Sequence, residues 1–124
     1  MSGKYLIFGA TGSIGSNLSK MLAKNNEEVQ LIGRDEERLS IISSETGCKF
    51  TVVDVLDPEK IEELKNDFAN EEIKGIAYCV GSIDLKPLRM VKKEDFQKCF
   101  DLNFYPIVET IKNFPDISYN SIYK

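Results

Sequence analysis

Three glycines stand at a spacing that suits the binding of a phosphate. The segment Gly9-Ala10-Thr11-Gly12-Ser13-Ile14-Gly15 follows an apolar run and opens a helical pattern. A helix N-terminus carries unpaired amides and a partial positive charge, so phosphate binds there if the backbone comes close enough. Gly9 permits the sharp exit from the strand, Gly12 the close pass of a pyrophosphate, and Gly15 the tight packing of helix on strand. The pattern G-x-x-G-x-x-G predicts a dinucleotide-binding turn, although a turn that only packs a helix on a strand is the alternative. The predicted contacts are Gly9, Thr11, Gly12, Ser13, Ile14 and Gly15.

A second candidate lies at the end of the second predicted strand, residues 28–32. In a dinucleotide site this strand end faces the adenosine ribose, where an acidic residue accepts hydrogen bonds from the 2′-hydroxyl of NAD. Here Gly33 leaves room, and the guanidinium of Arg34 pairs well with a phosphate. The pair predicts NADP as the cofactor. Two alternatives stay open: Asp35 contacts the ribose of NAD, or Arg34 is simply a solvated side chain.

The elements that must position these residues alternate along the chain. Asp57-Pro58 is a strong helix start, since the carboxylate caps the helix and proline suits its first position. A long last helix carries Pro106, which lacks the N–H that would bond the carbonyl of Leu102 and so predicts a kink. Such alternation predicts an α/β fold with a parallel sheet, right-handed crossovers and helices on both faces. The predicted strands are 4–8, 28–32, 49–53 and 73–80, and the predicted helices are about 14–24, 35–43, 58–68 and 93–113.

Length and charge exclude several classes of protein. With 124 residues the chain is one domain or part of one. A net charge of -4 offers no broad positive field for nucleic acid or an anionic membrane. The sequence has no apolar run long enough for a membrane span and no signal-peptide pattern at its start. These features predict a cytoplasmic protein with neither nucleic acid nor membrane as a partner.

The residues that usually carry nucleophilic or metal chemistry are scarce. Histidine is absent, which excludes Ser-His and Cys-His mechanisms in this chain. Three cysteines, Cys48, Cys79 and Cys99, form neither a C-x-x-C pair nor a zinc pattern. We interpret them as buried thiols and predict no metal site.

The motifs, in their order and spacing, resemble the N-terminal half of a short-chain dehydrogenase/reductase over roughly residues 4–113. The resemblance implies a Rossmann-type sheet of strand order 3-2-1-4, truncated before the family's later strands. It is carried by the glycine turn, Gly33-Arg34, Val53-Asp54-Val55, Tyr78-Cys79-Val80-Gly81, and the segment from Glu94-Asp95-Phe96 to Asp101-Leu102-Asn103.

The same resemblance implies roles for four further residues. Asp54 and Val55 would contact the adenine, and Gly81 would lie along the riboses of the cofactor. Asn103 would be the asparagine of the family's Asn-Ser-Tyr-Lys tetrad. In that family this asparagine orders a water in a proton relay. The alternatives are a strand-end turn residue for Asp54 and a structural asparagine at Asn103.

The chain departs from the family pattern in three places. Ser13 occupies the second glycine of the commoner G-x-x-x-G-x-G, and only Gly81 remains of the usual Asn-Asn-Ala-Gly. The tetrad's serine, tyrosine and lysine would follow Lys124, and no tyrosine here has a lysine four residues later. We therefore expect a partial nucleotide-binding domain over residues 1–113 and an irregular tail over 114–124.

Three functions remain for such a chain. We expect the NADP(H)-binding half of a reductase that transfers hydride between nicotinamide and a carbonyl or alcohol substrate, inactive by itself. A stand-alone NADP(H)-binding or regulatory module is the alternative, and a scaffold of the same fold without nucleotide is a third. The apolar strand edge 76–80 and the uncovered face of the last helix also predict self-association.

Overall fold

Four parallel strands form the centre of the computed structural model, which describes residues 3–82 and 85–115. Their order across the sheet is β3-β2-β1-β4, so the predicted strand order is confirmed. The strands are β1 (Lys4–Phe8), β2 (Glu28–Gly33), β3 (Lys49–Val52) and β4 (Ile73–Tyr78), and the helices are α1 (Ser13–Lys24), α2 (Glu36–Thr46), α3 (Pro58–Asp67), α4 (Lys93–Asn103) and α5 (Tyr105–Asn113).

Strand β1 is apolar on both sides because both faces of the sheet are covered. Leu6 and Phe8 point into one apolar cluster, which includes Leu64 of α3, whereas Ile7 points into a second, which includes Leu39 of α2. All five side chains are at most 1% exposed. The two clusters fix the sheet between its helical layers and so fix the edge at which the strands end.

Aspartates start two of the helices. Asp35 caps α2, accepting a hydrogen bond from the amide of Arg38 at 3.2 Å. Asp57 caps α3, accepting from the amide of Glu59 at 3.1 Å, directly before Pro58 as predicted.

Replacing Asp57 by alanine removes one of these caps. We expect the free energy of unfolding to fall by about 1 kcal/mol, the usual effect of losing a capping acceptor. Urea unfolding followed by circular dichroism measures it. Asp57→Asn is the matched control, since asparagine caps nearly as well, and equal losses in the two variants would contradict the capping role.

Element boundaries differ from the prediction at the last helix and the last strand. The predicted single kinked helix is two helices, which meet at Phe104 with φ −125° and ψ −60°. Pro106 has no amide hydrogen for the turn before it, so the break is complete. Strand β4 ends at Tyr78 rather than residue 80, because its neighbour β1 turns away at Gly9, where φ is +76°.

The spacing of Ile14, Leu18, Met21 and Leu22 predicts one apolar face for α1, but only Leu18 and Leu22 pack against the core. Ile14 and Met21 are 74% and 65% exposed, and the buried residues of the helix are Gly15 and Ser19. The helix turns this side inward because only a glycine lets it approach the turn that precedes it. Close backbone packing therefore outweighs the burial of two apolar side chains.

The expectation for the cysteines holds only in part. Cys48 is buried and Cys79 is half-buried, but Cys99 is exposed, so the prediction of a buried thiol there is wrong. Cys99 lies on α4, none of whose residues is buried among those described. Of the apolar residues of α4, Leu102 packs partly buried against the core, whereas Phe96 and Phe100 are 54% and 50% exposed.

The end of the chain lies largely outside the described residues. Phe114 is 8% exposed and packs in the same cluster as Leu6 and Phe8. The rest of the predicted tail, residues 116–124, is among those not described. In the described part of the chain, no helix has the length and apolar character needed to cross a membrane.

Candidate functional site

The carboxyl ends of three strands meet at the glycine turn. β1 lies between β2 and β4, and the turn that follows it is bonded to the first of these neighbours. The amides of Gly9 and Ala10 donate to the carbonyl of Ile32 at 2.9 and 3.1 Å. On the other side, the amide of Cys79 donates to the carbonyl of Phe8 at 2.8 Å. The turn is thus held at the middle of the sheet edge, where dinucleotides bind in folds of this kind.

Two of the three predicted glycines are required by the fold itself. Gly9 has a φ of +76°, and a Cβ there would lie 2.7 Å from the carbonyl of Cys79. A Cβ on Gly15 would overlap the carbonyl oxygen of Gly9. These two positions therefore need glycine with or without a ligand, and their presence alone does not prove a binding site.

Gly12 is different, because none of the residues that the structure describes requires a glycine there. Its φ is −76°, and among those residues a Cβ would find one atom within 4 Å, the carbonyl oxygen of Gly9 at an ordinary 3.5 Å. Gly12 is the N-cap residue of α1, and no side chain caps that helix, in contrast to α2 and α3. The first-turn amides of α1 are left open to an external acceptor, with Ser13 and Ile14 exposed beside them.

Gly33 and Arg34 lie at the end of β2, and a second arginine that the prediction missed lies near them. Arg34 is exposed at the end of β2, and a Cβ on Gly33 would lie an ordinary 3.4 Å from Leu39. Arg38, which was not predicted, donates from Nη2 to the carbonyl of Thr11 at 3.1 Å. It ties α2 to the glycine turn. No local pattern pointed to it, since Arg34 lies before α2 begins at Glu36 and the Thr11 carbonyl is 27 residues from Arg38 in the chain.

Asp54 and Val55 follow β3 at the same edge. Oδ1 of Asp54 accepts a hydrogen bond from the amide of Leu56 at 3.0 Å, a local turn contact. The carboxylate is exposed and keeps further acceptor positions. Val55 is 7% exposed and belongs to the apolar cluster around Phe8. The turn role of Asp54 is therefore present, and it is compatible with a second contact.

Asn103 clamps the segment that follows β4. Its Oδ1 accepts from the amide of Ser82 at 3.0 Å, and its Nδ2 donates to the carbonyl of the same residue at 2.9 Å. Nδ2 also donates to Sγ of Cys99 at 3.4 Å. A Cβ on Gly81 would come within 3.0 Å of Asn103 Oδ1, so a glycine suits this position. Asn103 and Gly81, predicted separately, form one unit, and no sequence pattern pointed to Ser82.

Tyr78 supports the same region from inside the sheet. Its hydroxyl donates to the carbonyl of Leu102 at 2.8 Å, and its ring lies 6.0 Å from that of Phe8. Burial raises the pKa of Tyr78 to about 12 from an ordinary value of 10.0. Burial also raises the pKa of the Cys79 thiol, so this thiol is not activated as a nucleophile.

The raised pKa of Tyr78 gives a prediction for alkaline solution. The protonated phenol is neutral, and the unfolded chain ionises first as the pH rises above 10, so the stabilising contribution is complete below pH 10 and is lost by about pH 12. Absorbance titration of tyrosinate should show one of the five tyrosines titrating last. Tyr78→Phe should remove that late step, and a late step that survives the substitution would belong to another tyrosine.

A cleft of about 910 Å³ opens beside Asn103. Val55, Ser82 and Cys99 line it together with apolar residues of α4, while the glycine turn and Arg34 lie outside its lining. Among residues 3–82 and 85–115, no three Cys, Asp or Glu side chains converge as a metal site. The predicted residues thus form an open sheet edge next to a cleft.

Comparison with known proteins agrees with this arrangement. The family model for short chain dehydrogenases matches residues 4–118. The 3-oxoacyl-acyl-carrier-protein reductase FabG of Rickettsia bellii is 33% identical over 100 residues, which are 79% of this chain and 41% of that protein. Carbonyl reductase family member 4 of Xenopus tropicalis is 26% identical over 110 residues, 86% of this chain and 46% of that protein.

Solved structures share the fold. A short-chain type dehydrogenase/reductase from Mycobacterium ulcerans superposes with a TM-score of 0.81 at 19% identity, over 91% of this chain and 46% of that one. An alcohol dehydrogenase from Thermococcus sibiricus, complexed with 5-hydroxy-NADP, gives 0.77 at 24% identity, over 91% of this chain and 52% of that one.

The chain belongs to the short-chain dehydrogenase family, as its sheet order and glycine turn indicate. Members of this family are oxidoreductases that use NAD(P) cofactors and act on small molecules. The chain spans a little under half the length of the curated relatives it matches.

Proposed function

We propose that this chain is the NADP(H)-binding half of a short-chain reductase. The observation that carries the proposal is the open N-terminus of α1, where Gly12 has room in front of it and no side chain takes the amides. A pyrophosphate fits such an end because it supplies the missing acceptors and meets the positive end of the helix. The contacts we assign there are Gly9, Thr11, Gly12, Ser13, Ile14 and Gly15.

The adenosine end of the cofactor is assigned to the ends of β2 and β3. Arg34 would pair with the 2′-phosphate, which favours NADP over NAD, and Gly33 would leave the space for it. Asp54, through an oxygen not used by Leu56, would accept from the adenine amino group, with Val55 beneath the ring. The exposed, unshielded position of Arg34 supports this role.

Gly81 and Asn103 are assigned to the nicotinamide end. The side chain of Asn103 is occupied by Ser82, so we assign the water-ordering role of the family's asparagine to its backbone carbonyl. The break in the helix supports this. In a regular helix the amide of Ile107 would bond the carbonyl of Asn103, but here it donates to the carbonyl of Phe104 at 3.0 Å. The side-chain clamp would then fix where that carbonyl points.

The parent activity we propose is hydride transfer between the nicotinamide and a carbonyl or alcohol substrate. The cofactor supplies or takes the hydride, and the protein orients it. The relatives named as 3-oxoacyl-acyl-carrier-protein and carbonyl reductases support a carbonyl substrate. We propose that residues 1–113 form the partial domain, with 114–124 as its tail, and that the 124-residue chain alone is inactive.

The test is direct titration of the purified chain. NADP should raise its melting temperature, because a ligand that binds only the folded state stabilises it, and NAD should do so less. No shift with either cofactor would overturn the binding proposal and favour a scaffold without nucleotide. Oxidation of NADPH that depends on an added carbonyl compound would contradict the proposed inactivity of the chain. A chain that is monodisperse in solution and unfolds in one cooperative transition would favour the stand-alone NADP(H)-binding module.

We also propose self-association through α4 and α5. The rings of Phe100, Phe104 and Tyr105 pack on one another with centroids 5.7 to 6.2 Å apart, and each is about half exposed. β4 is the outer strand of the described sheet and offers a second surface.

The three free cysteines fit a reducing compartment, and we propose the cytoplasm.

Phe100→Asp tests the helical surface. A charge at this half-exposed position should shift the chain toward monomer by at least about tenfold in dissociation constant, since burying an unpaired carboxylate is strongly unfavourable. Sedimentation velocity over a concentration series measures this. Met21→Asp on α1, 65% exposed, is the control and should change nothing. Equal sedimentation of wild type and Phe100→Asp would contradict this surface.

A further inference from the structure

The helix break between α4 and α5 leaves one backbone carbonyl without its regular partner. In a continuous helix the carbonyl of Leu102 would accept from the amide four residues later, but that residue is Pro106, which has no N–H. The hydroxyl of Tyr78 supplies the missing donor at 2.8 Å. A side chain of the central sheet therefore bonds the last turn of α4, one residue before Asn103.

We propose that Tyr78 is a positioning residue for Asn103: its hydroxyl fixes the end of α4, and through it the clamp that Asn103 forms on Ser82. The inference rests on the proposed function in one respect, the role of Asn103 at the nicotinamide end. The physical link between Tyr78 and Asn103 is independent of any cofactor.

The anchor is rigid at its other end. Tyr78 pairs with Phe8 in the register of β4 on β1, and their rings lie 6.0 Å apart. Phe8 is 0% exposed. A hydroxyl on a ring held in this way defines one place for the Leu102 carbonyl, so α4 cannot slide along the sheet without breaking that bond.

The side chain of Leu102 packs against the apolar cluster around Phe8, and the Tyr78 bond is the polar contact that fixes where the Leu102 carbonyl points. No residue of α4 is buried among those described, and Phe104, the residue at the break, is 50% exposed. Pro106 is buried and begins α5, so the far side of the break is held separately. Loss of the Tyr78 bond would leave the part-buried carbonyl of Leu102 unpaired, which favours a local rotation of the last turn of α4.

The Asn103 clamp would follow that shift. Two hydrogen bonds of 3.0 and 2.9 Å join the side-chain amide of Asn103 to the backbone N–H and C=O of one residue, Ser82, so a small displacement of residue 103 weakens both together. Only Gly81 remains here of the family's usual Asn-Asn-Ala-Gly. In this chain the phenol of Tyr78 is the group at this strand end that reaches α4. Tyr78 thus acts through Leu102 rather than on any ligand.

The experiment is a two-by-two set of variants: wild type, Tyr78→Phe, Pro106→Ala and both together. Phenylalanine keeps the ring but removes the donor, and alanine gives Leu102 an ordinary helical donor at position 106. Hydrogen exchange of the Ser82 amide and the NMR signals of the Asn103 side-chain amide report the clamp without cofactor. Tyr105→Phe is the matched control, because Tyr105 is 48% exposed at the same break.

We expect Tyr78→Phe to speed exchange of the Ser82 amide at least about tenfold and to move both Asn103 amide signals. When Pro106→Ala is already present, adding Tyr78→Phe should change these two readouts little. A general loss of packing would instead act equally in both backgrounds. Unchanged exchange and unchanged signals in a folded Tyr78→Phe chain would overturn the proposal.

The experiment also distinguishes a Tyr78→Phe chain that does not fold from a wild-type chain that does not bind NADP. If Tyr78→Phe does not fold, the proposal requires the double variant to fold with Ser82 exchange like that of Pro106→Ala, because the amide that Pro106→Ala adds replaces the lost donor; a double variant that is also unfolded overturns it. NADP titration of wild type tests the proposed function on its own, so a chain that binds no NADP yet shows the exchange effect refutes the cofactor role and keeps the Tyr78 link.

Discussion

Gly12→Ala should weaken NADP binding at least about tenfold, or about 1.4 kcal/mol, while the melting temperature of the free chain stays within about 2 °C. The fold tolerates the change because the added Cβ would lie 3.5 Å from its nearest neighbour and φ is −76°. The ligand does not tolerate it, because the Cβ would stand between the α1 amides and the phosphate. Isothermal titration with NADP and a thermal melt without it measure the two effects.

Gly15→Ala is the matched comparison on the same turn. Its Cβ would overlap the carbonyl oxygen of Gly9, so we expect a loss of about 3 kcal/mol in unfolding free energy, the upper part of the overpacking range. That corresponds to a fall of roughly 10 °C or more in melting temperature. If Gly12→Ala instead destabilised the free chain as much as Gly15→Ala, or bound NADP like wild type, the glycine turn would be a packing device only.

Arg34→Ala should lower the affinity for NADP by about 1.5 to 3 kcal/mol, roughly 10- to 150-fold, and leave the affinity for NAD unchanged. The reason is that a guanidinium and a phosphate form charge-assisted, bidentate hydrogen bonds that NAD does not offer at its ribose. Competition titrations with both cofactors at one ionic strength give the ratio. Salt must be fixed because the pair is exposed and screened by ions.

Arg38→Ala provides the control for that ratio. Arg38 already bonds the carbonyl of Thr11, so its loss should loosen the turn and weaken NADP and NAD by the same factor. Selectivity should therefore respond to Arg34 and not to Arg38. Equal or tighter binding of NAD by the wild-type chain would refute NADP as the preferred cofactor.

Much of the fold follows from local patterns that the sequence displays. Strands such as Lys4–Phe8 are continuous apolar runs, and Asp57-Pro58 announces a helix start, because these signals act within a few residues of one another. The sheet order came from family resemblance, and the structure confirms it. Where apolar spacing was the guide, as in α1, the prediction placed Ile14 on the wrong side, since periodicity does not report which backbones must touch.

The site divides in the same way. The glycine turn, Arg34, Asp54 and Asn103 are visible in the sequence because each stands at a strand end or a fixed motif position. Arg38 was not visible in this way, because its partner, the carbonyl of Thr11, lies 27 residues away in the chain. Ser82 and Tyr78 were not, because their partners lie 21 and 24 residues away in the chain.

By itself the sequence determined that a strand, a glycine turn and a helix succeed one another, and that Pro106 must interrupt the last helix. Those are consequences of backbone freedom and of a missing N–H, which each residue carries wherever it is placed. Only the tertiary structure decided that Gly9 and Gly15 have no room for a Cβ, whereas Gly12 does. It also decided that the hydroxyl of Tyr78 bonds the carbonyl of Leu102, for which Pro106 has no N–H. Both depend on which backbones approach each other, and that is set by the packing of strands and helices distant in sequence.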